Sequence, residues 1–124
     1  MNIAIWIAAG LVAAAFLGAG LMKITGKREQ MLERMAWVAD YSQTQVKLIG
    51  VVEVLGAIGL ILPALTGIAP ILVPAAATGL VITSVLAAVM HIRRGDGVGS
   101  AVPVLVLGLL AAFVAWGRFG AYAF

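Results

Sequence analysis

The sequence has no cysteine, one histidine, and charged residues at only 10% of its 124 positions. Without cysteine the chain forms no disulfide and carries out no dithiol exchange of its own. One histidine and five acidic residues, spread along the chain, predict no metal site. No nucleophile–base pair, phosphate-binding loop or haem-ligating histidine pair is visible. A stand-alone enzyme is therefore not predicted.

What the sequence does have is apolar residues, which make up 64% of the chain and raise its mean hydropathy to +1.15. The charges are segregated: residues 1–22 and 97–117 contain none, and residues 48–90 contain only Glu53. A soluble domain of this size has no interior large enough for so many apolar side chains. The sequence therefore predicts an integral membrane protein.

Four stretches approach the roughly 20 apolar residues that span a bilayer, and we expect helices at about residues 3–22, 46–62, 70–92 and 101–116. Together they form one domain over residues 1–124, an all-α, four-helix transmembrane bundle. The first stretch is longer than a signal-peptide core and is read as a retained helix. Pro63 and Pro70 bracket a tight turn between the second and third spans, and residues 95–100 form a flexible turn before the fourth.

The long connection, residues 23–45, predicts a short amphipathic helix on the membrane surface. Its apolar residues recur at helical spacing and comprise Met31, Leu32, Met35, Val38 and Ala39. Trp37 and Tyr41 are side chains that favour the headgroup level of a bilayer. The alternative interpretation is an ordinary polar loop.

The basic residues predict the orientation of the bundle. Of the eight Lys and Arg residues, all except Arg118 fall in or beside the first and third connections. The excess of basic residues in cytoplasmic loops then places these connections in the cytoplasm and both termini outside the cell membrane. The net charge of +3 is accounted for by topology and anionic lipid headgroups, so we expect no nucleic-acid partner.

Glu53 is the only ionisable residue between Lys47 and His91. A carboxylate in a spanning helix costs at least ~2.5 kcal/mol, so a partner inside the protein is expected. Lys23 and His91 end the first and third spans on the same side. We expect Glu53 to pair with one of them, in a cluster that either locks the helices together or binds a ligand.

Small residues mark the faces where membrane helices pack closely. Gly10, Ala14 and Gly18 repeat at four-residue spacing in the first span, and Gly50 and Gly56 share a face with Glu53. These positions are predicted to be helix contacts. At the far end of the fourth span, Arg118 next to Trp116 is a secondary site candidate, which we read as an anchor at the outer edge of the bilayer.

The chain resembles the DoxX-like membrane protein family along nearly its full length. The motifs are GLMKITG (20–26), IGVVEVLGAIGLILP (49–63), APILVPAAATGL (69–80) with AAVMH (87–91), and FVAWGR (113–118). The resemblance implies a four-helix membrane bundle in which Lys23, Glu53, His91 and Arg118 occupy the recurrent polar positions. Relatives include subunits that pass electrons from sulfur compounds or thiols to quinone, as well as assembly factors for other membrane proteins.

Three functions are consistent with these features. The first is a subunit of a membrane oxidoreductase system that binds quinone or another small molecule through Lys23, Glu53 and His91. The second is a scaffold or assembly factor that packs against another membrane protein or against copies of itself. The third is a small proton-coupled transporter that uses Glu53.

Overall fold

A computed structural model describes the backbone of residues 1–124 and the side chains of all of them except Arg28, Glu33, Arg34 and Ala36. The described elements are α1 (Asn2–Thr25), α2 (Arg28–Arg34), a 3₁₀ helix (Ala36–Asp40), α3 (Gln43–Thr66), α4 (Leu72–Arg94) and α5 (Val98–Phe119). α1, α3, α4 and α5 have 22 to 24 residues each and are apolar enough to cross a membrane. The predicted all-α, four-span architecture is confirmed.

Three of the four spanning helices are longer than the apolar runs that predict them, and α4 has the predicted length but begins and ends two residues later. α3 begins three residues before Val46 because Ser42 and Gln45 form a reciprocal cap: the Gln45 amide donates to Ser42 Oγ at 3.1 Å, and the Ser42 amide donates to Gln45 Oε1 at 2.9 Å. At its other end α3 continues through Pro63 and ends at Gly67, whose φ of 70° is left-handed. The turn to α4 therefore occupies residues 67–71 instead of 64–69.

The four long helices pack in a ring. α1 lies against α3 and α5, and α4 lies against the same two neighbours. The centre is filled by apolar side chains that are at most 5% exposed, among them Ile5, Val12, Phe16, Leu60, Leu80 and Val114. Large apolar side chains also cover the outside, for example Leu55 and Leu109. An apolar exterior around a small apolar core fits a lipid environment.

The connection between α1 and α3 contains a short helix, α2, as predicted, but its apolar side chains turn inwards. Met31, Trp37 and Val38 are buried together with Val46 of α3, and Met90 of α4 packs against them. We call residues 28–40 the cap. Trp37 is 7% exposed and packs on the end of the bundle. The apolar ends of α3 and α4 would otherwise face the polar side of the interface.

The predicted packing face of α1 is wrong. Gly10, Ala14 and Gly18 all face outwards, and a Cβ atom added at either glycine would meet no atom within 4 Å. The buried face carries Ile5, Ala9, Val12, Phe16, Gly20 and Lys23. Small residues occur on both sides of α1, so their spacing does not identify the inner one. α1 is oriented about its axis so that Lys23 lies on the inner face, where it pairs with Glu53.

Candidate functional site

The candidate site begins where α1 and α3 cross. A Cβ atom at Gly20 would lie 2.7 Å from the carbonyl oxygen of Gly50, and one at Gly50 would lie 2.7 Å from the carbonyl oxygen of Gly20. A real Cβ would collide with backbone at both positions, so the helices approach this closely only because both residues are glycine. Gly50 is a predicted packing residue, whereas Gly20 was missed.

Lys23 and Glu53 lie one helical turn beyond these two glycines along their own helices. The helices are consecutive spans and run antiparallel, so the two residues flank the crossing from opposite sides. Side chains in a helix tilt towards its N-terminus, and both of these therefore lean towards the crossing. Lys23 Nζ donates a hydrogen bond to Glu53 Oε1, forming an ion pair. Lys23 is 9% exposed and Glu53 is 3% exposed.

The cap covers this ion pair from the loop side. The Lys23 ammonium lies 5.5 Å from the centre of the Trp37 ring, within the range of a cation–π interaction. Tyr41 packs edge-on against Trp37, with ring centres 5.6 Å apart. The ammonium is thus held between a carboxylate and an aromatic face.

His91 has a different partner from the one expected. Its Nδ1 donates to Asp96 Oδ2 at 2.9 Å, and Arg94 Nε donates to the same oxygen at 3.2 Å. The hydrogen bond from His91, followed by that from Arg94, lowers the pKa of Asp96. Arg94 also pairs with Asp40 of the cap. This group fastens the cap to the end of α4, and its acidic members were missed at the sequence level.

Arg118 is buried at the opposite end of the bundle and is only 3% exposed. Its Nη1 donates to Asn2 Oδ1 at 2.5 Å and to the carbonyl oxygen of Tyr122 at 2.9 Å. The rings of Phe124 and Trp6 lie 4.1 and 5.4 Å from its Cζ. The expected outer-edge anchor is therefore wrong: Arg118 faces inwards, where α1 begins beside the end of α5.

Two apolar grooves run along the outside of the bundle. One, of about 300 Å³, lies between α3 and α4 and is lined in part by Val52, Gly56, Gly79 and Leu80. The other, of about 390 Å³, lies between α1 and α3. Neither lining includes Lys23 or Glu53. Among the described side chains, no group of three or more His, Cys, Asp and Glu residues could hold a metal ion.

Four apolar helices in a ring, with a capped ion pair near one end and a buried arginine at the other, define a multi-pass integral membrane protein. A family model described as the DoxX-like family matches residues 7–114. The chain therefore belongs to the DoxX-like family. Comparisons with curated proteins and with solved structures found no match. The matched range contains Lys23, Glu53 and His91 and ends before Arg118.

Proposed function

We propose that the protein is a subunit of a membrane oxidoreductase system and binds a quinone, or a small molecule with a similar polar head and apolar tail. The observation that carries the proposal is the position of the Lys23–Glu53 pair next to the groove between α3 and α4. Gly56, which lines that groove, follows Glu53 by three residues, which is about 4.5 Å along the helix axis and on the same face.

The residues present fit such a ligand. The groove opens on the lipid side of the bundle and is almost entirely apolar, so it suits an isoprenoid tail. The ammonium of Lys23 has three N–H donors, of which one is used by Glu53, and a quinone carbonyl is an acceptor. A bound quinone would supply the redox chemistry that a chain without cysteine lacks. Lys23 would bind its head, and Trp37 would keep water away.

Filling the groove tests this proposal. Gly79 lines the groove, and a Cβ atom added there meets no atom within 4 Å. Gly79→Leu should therefore fold normally while its side chain occupies the space of the tail. We expect the purified wild-type protein to retain quinone in its lipid extract and to unfold at a higher temperature when quinone is added. Gly79→Leu should lose both effects.

The matched control is Gly10→Leu, the same substitution at an outward position of α1 that is equally open and lies outside the lining of this groove. It should bind quinone like the wild type. A wild-type protein that neither retains quinone nor is stabilised by it would rule the proposal out. Equal loss of binding in both variants would show that the effect does not come from the groove.

The alternative is a scaffold for another membrane protein, and the outward face of α1 favours it. Gly10, Ala14 and Gly18 are unused within the bundle, and Ala14 also lines the groove between α1 and α3. Small residues let a second helix approach closely. Under this alternative Gly10→Leu, and not Gly79→Leu, abolishes crosslinking to a stoichiometric partner in native membranes. The two substitutions thus distinguish the two functions. A quinone site is impaired only by Gly79→Leu, whereas a scaffold surface is impaired only by Gly10→Leu.

We also propose that the cap and the turn between α4 and α5 face the cytoplasm of the cell membrane, with both ends of the chain outside. The support is the distribution of basic residues. Because the chain has no cysteine, single substitutions such as Gln30→Cys and Ala121→Cys can be labelled without background. A membrane-impermeant thiol reagent applied to whole cells should modify Ala121→Cys and leave Gln30→Cys unmodified. The reverse labelling pattern would show that the orientation in the membrane is opposite to the one proposed.

A further inference from the structure

Among the described residues, one nitrogen of Arg118 has no hydrogen-bond partner. Its Nη1 is bonded to Asn2 and to the Tyr122 carbonyl, whereas its Nη2 is buried and has no hydrogen-bond partner among the described residues. A buried donor without an acceptor loses its hydrogen bond to water and destabilises the fold. The guanidinium is thus only partly satisfied by the atoms around it.

The charge of Arg118 is also unbalanced. All five acidic residues of the sequence lie elsewhere: Glu29, Glu33 and Asp40 in the cap, Glu53 beside Lys23, and Asp96 in the turn after α4. The ion pairs of the described side chains accordingly leave Arg118 out. Its hydrogen-bond acceptors, an amide and a carbonyl, are neutral. A buried charge without a counter-ion is expensive, so an anion from outside the chain would lower the energy of this site.

The position of Arg118 in the fold indicates which kind of anion would bind there. It lies in the last turn of α5, beside the first turn of α1, and therefore near the level of the lipid headgroups. Trp6, Trp116 and Tyr122 surround this end, as aromatic residues do at a membrane interface. The planar guanidinium matches the oxygen spacing of a phosphate group and binds it through two parallel hydrogen bonds.

We propose that Arg118 binds a phosphate group and that its Nη2 donates hydrogen bonds to the phosphate oxygens. The covering segment, residues 120–124, is short and mostly exposed, and its Phe124 ring lies 4.1 Å from the guanidinium. Displacement of this segment opens the site; it breaks the hydrogen bond from Arg118 to the Tyr122 carbonyl, the bond from the Tyr122 amide to the Gly117 carbonyl, and the contact of the Phe124 ring with Trp6. Both a phospholipid headgroup and free inorganic phosphate carry the required chemistry.

The test compares ligands that differ in the phosphate group. Delipidated protein in a neutral detergent is titrated with inorganic phosphate, with short-chain phosphatidylglycerol, and with short-chain diacylglycerol, which lacks phosphate. Thermal unfolding followed by tryptophan fluorescence reports binding, and native mass spectrometry counts bound lipid. R118Q is compared with R93Q, which removes the same charge from an exposed arginine at the end of α4. We expect R118Q to weaken binding of the phosphate compound at least tenfold and R93Q to leave it unchanged.

Stabilisation by phosphatidylglycerol alone identifies a lipid headgroup, and stabilisation by inorganic phosphate at similar concentrations identifies a free anion; either supports the site. The proposal is overturned if diacylglycerol stabilises as strongly as phosphatidylglycerol, if R118Q and R93Q bind equally, or if the wild type responds to neither phosphate compound. Phe124→Ala tests the site with the arginine intact. Removing the covering ring should raise the affinity for phosphate, and an unchanged or lower affinity counts against the proposal.

Discussion

The two ends of the bundle each bury one basic side chain, but they stabilise it differently. Lys23 contacts a carboxylate from the neighbouring helix and an aromatic ring above it. Arg118 contacts an amide oxygen, a carbonyl oxygen and two aromatic rings, and no carboxylate among the described side chains. Lys23 therefore has a counter-ion within the fold, whereas Arg118 has none among the described side chains.

The two basic residues also show which polar contacts hold α1 in the bundle at each of its ends. Lys23 binds it to α3 near one end, and Asn2 binds it through Arg118 to α5 at the other. Lipid supplies no hydrophobic force between helices, so these polar contacts and close packing determine which face of α1 turns inwards. Removing one member of a buried ion pair leaves the other charge without a counter-ion and is strongly destabilising. Removing a donor from neutral acceptors leaves no such charge and should destabilise the protein less. The predictions below test this contrast.

The largest effect is expected from removing one member of the ion pair. Glu53→Leu leaves the Lys23 ammonium buried without a counter-ion and should lower the free energy of unfolding by about 3–5 kcal/mol. The double variant Lys23→Met, Glu53→Leu removes both charges and should recover most of that loss. Both are measured by denaturant titration in micelles with retained helicity as the readout. A double variant as unstable as Glu53→Leu would show that the charge pair is not the cause.

The next effect concerns the crossing that brings the pair together. Gly50→Ala places a Cβ 2.7 Å from the carbonyl oxygen of Gly20, so α1 and α3 must separate, and we expect a loss of about 1–3 kcal/mol. Gly18→Ala is the matched control because its Cβ meets no atom within 4 Å. The same titration should find it close to the wild type. Equal effects at both positions would contradict the close crossing.

Sequence reasoning found the fold and the four spans, and it named Lys23 as one of two possible partners of Glu53, because hydropathy and helix phase are encoded locally. It placed His91 wrongly because a carboxylate five residues away, in the turn after α4, is a nearer partner than one on another helix. It missed the bond between Arg118 and Asn2, which are 116 residues apart. No charge pattern points to a neutral amide at that distance.

Loss of the charge at Arg118 should change the free energy of unfolding less than loss of the charge at Glu53. Arg118→Met removes two hydrogen bonds, each worth about 1 kcal/mol, but it also removes a buried charge without a counter-ion. These contributions oppose each other, so the free energy of unfolding should change by less than in Glu53→Leu. Unfolding titrations in phosphate-free neutral detergent measure this directly. A loss as large as that of Glu53→Leu would mean that the two ends do not differ in the way described.

The smallest effect is a pH dependence at the turn after α4. The hydrogen bond from His91, with that from Arg94, lowers the pKa of Asp96 below its usual value, which is about 3.9 in an unfolded chain. A lowered folded-state pKa stabilises the protein above the unfolded pKa, and this contribution is lost as the pH falls through the folded pKa. Asp96→Asn should therefore reduce stability slightly at neutral pH and flatten the acid decline of the melting temperature.

His91→Gln provides the control for Asp96→Asn because it leaves the carboxylate in place and removes the largest cause of its pKa shift. In this variant the acid decline should begin at a higher pH than in the wild type, since Asp96 then titrates closer to its usual range. The group lies at the end of α4 and is partly exposed to solvent, so both changes should be small beside those at Lys23 and Arg118. If the melting curves of His91→Gln and the wild type coincide between neutral and acidic pH, His91 does not stabilise the charged form of Asp96.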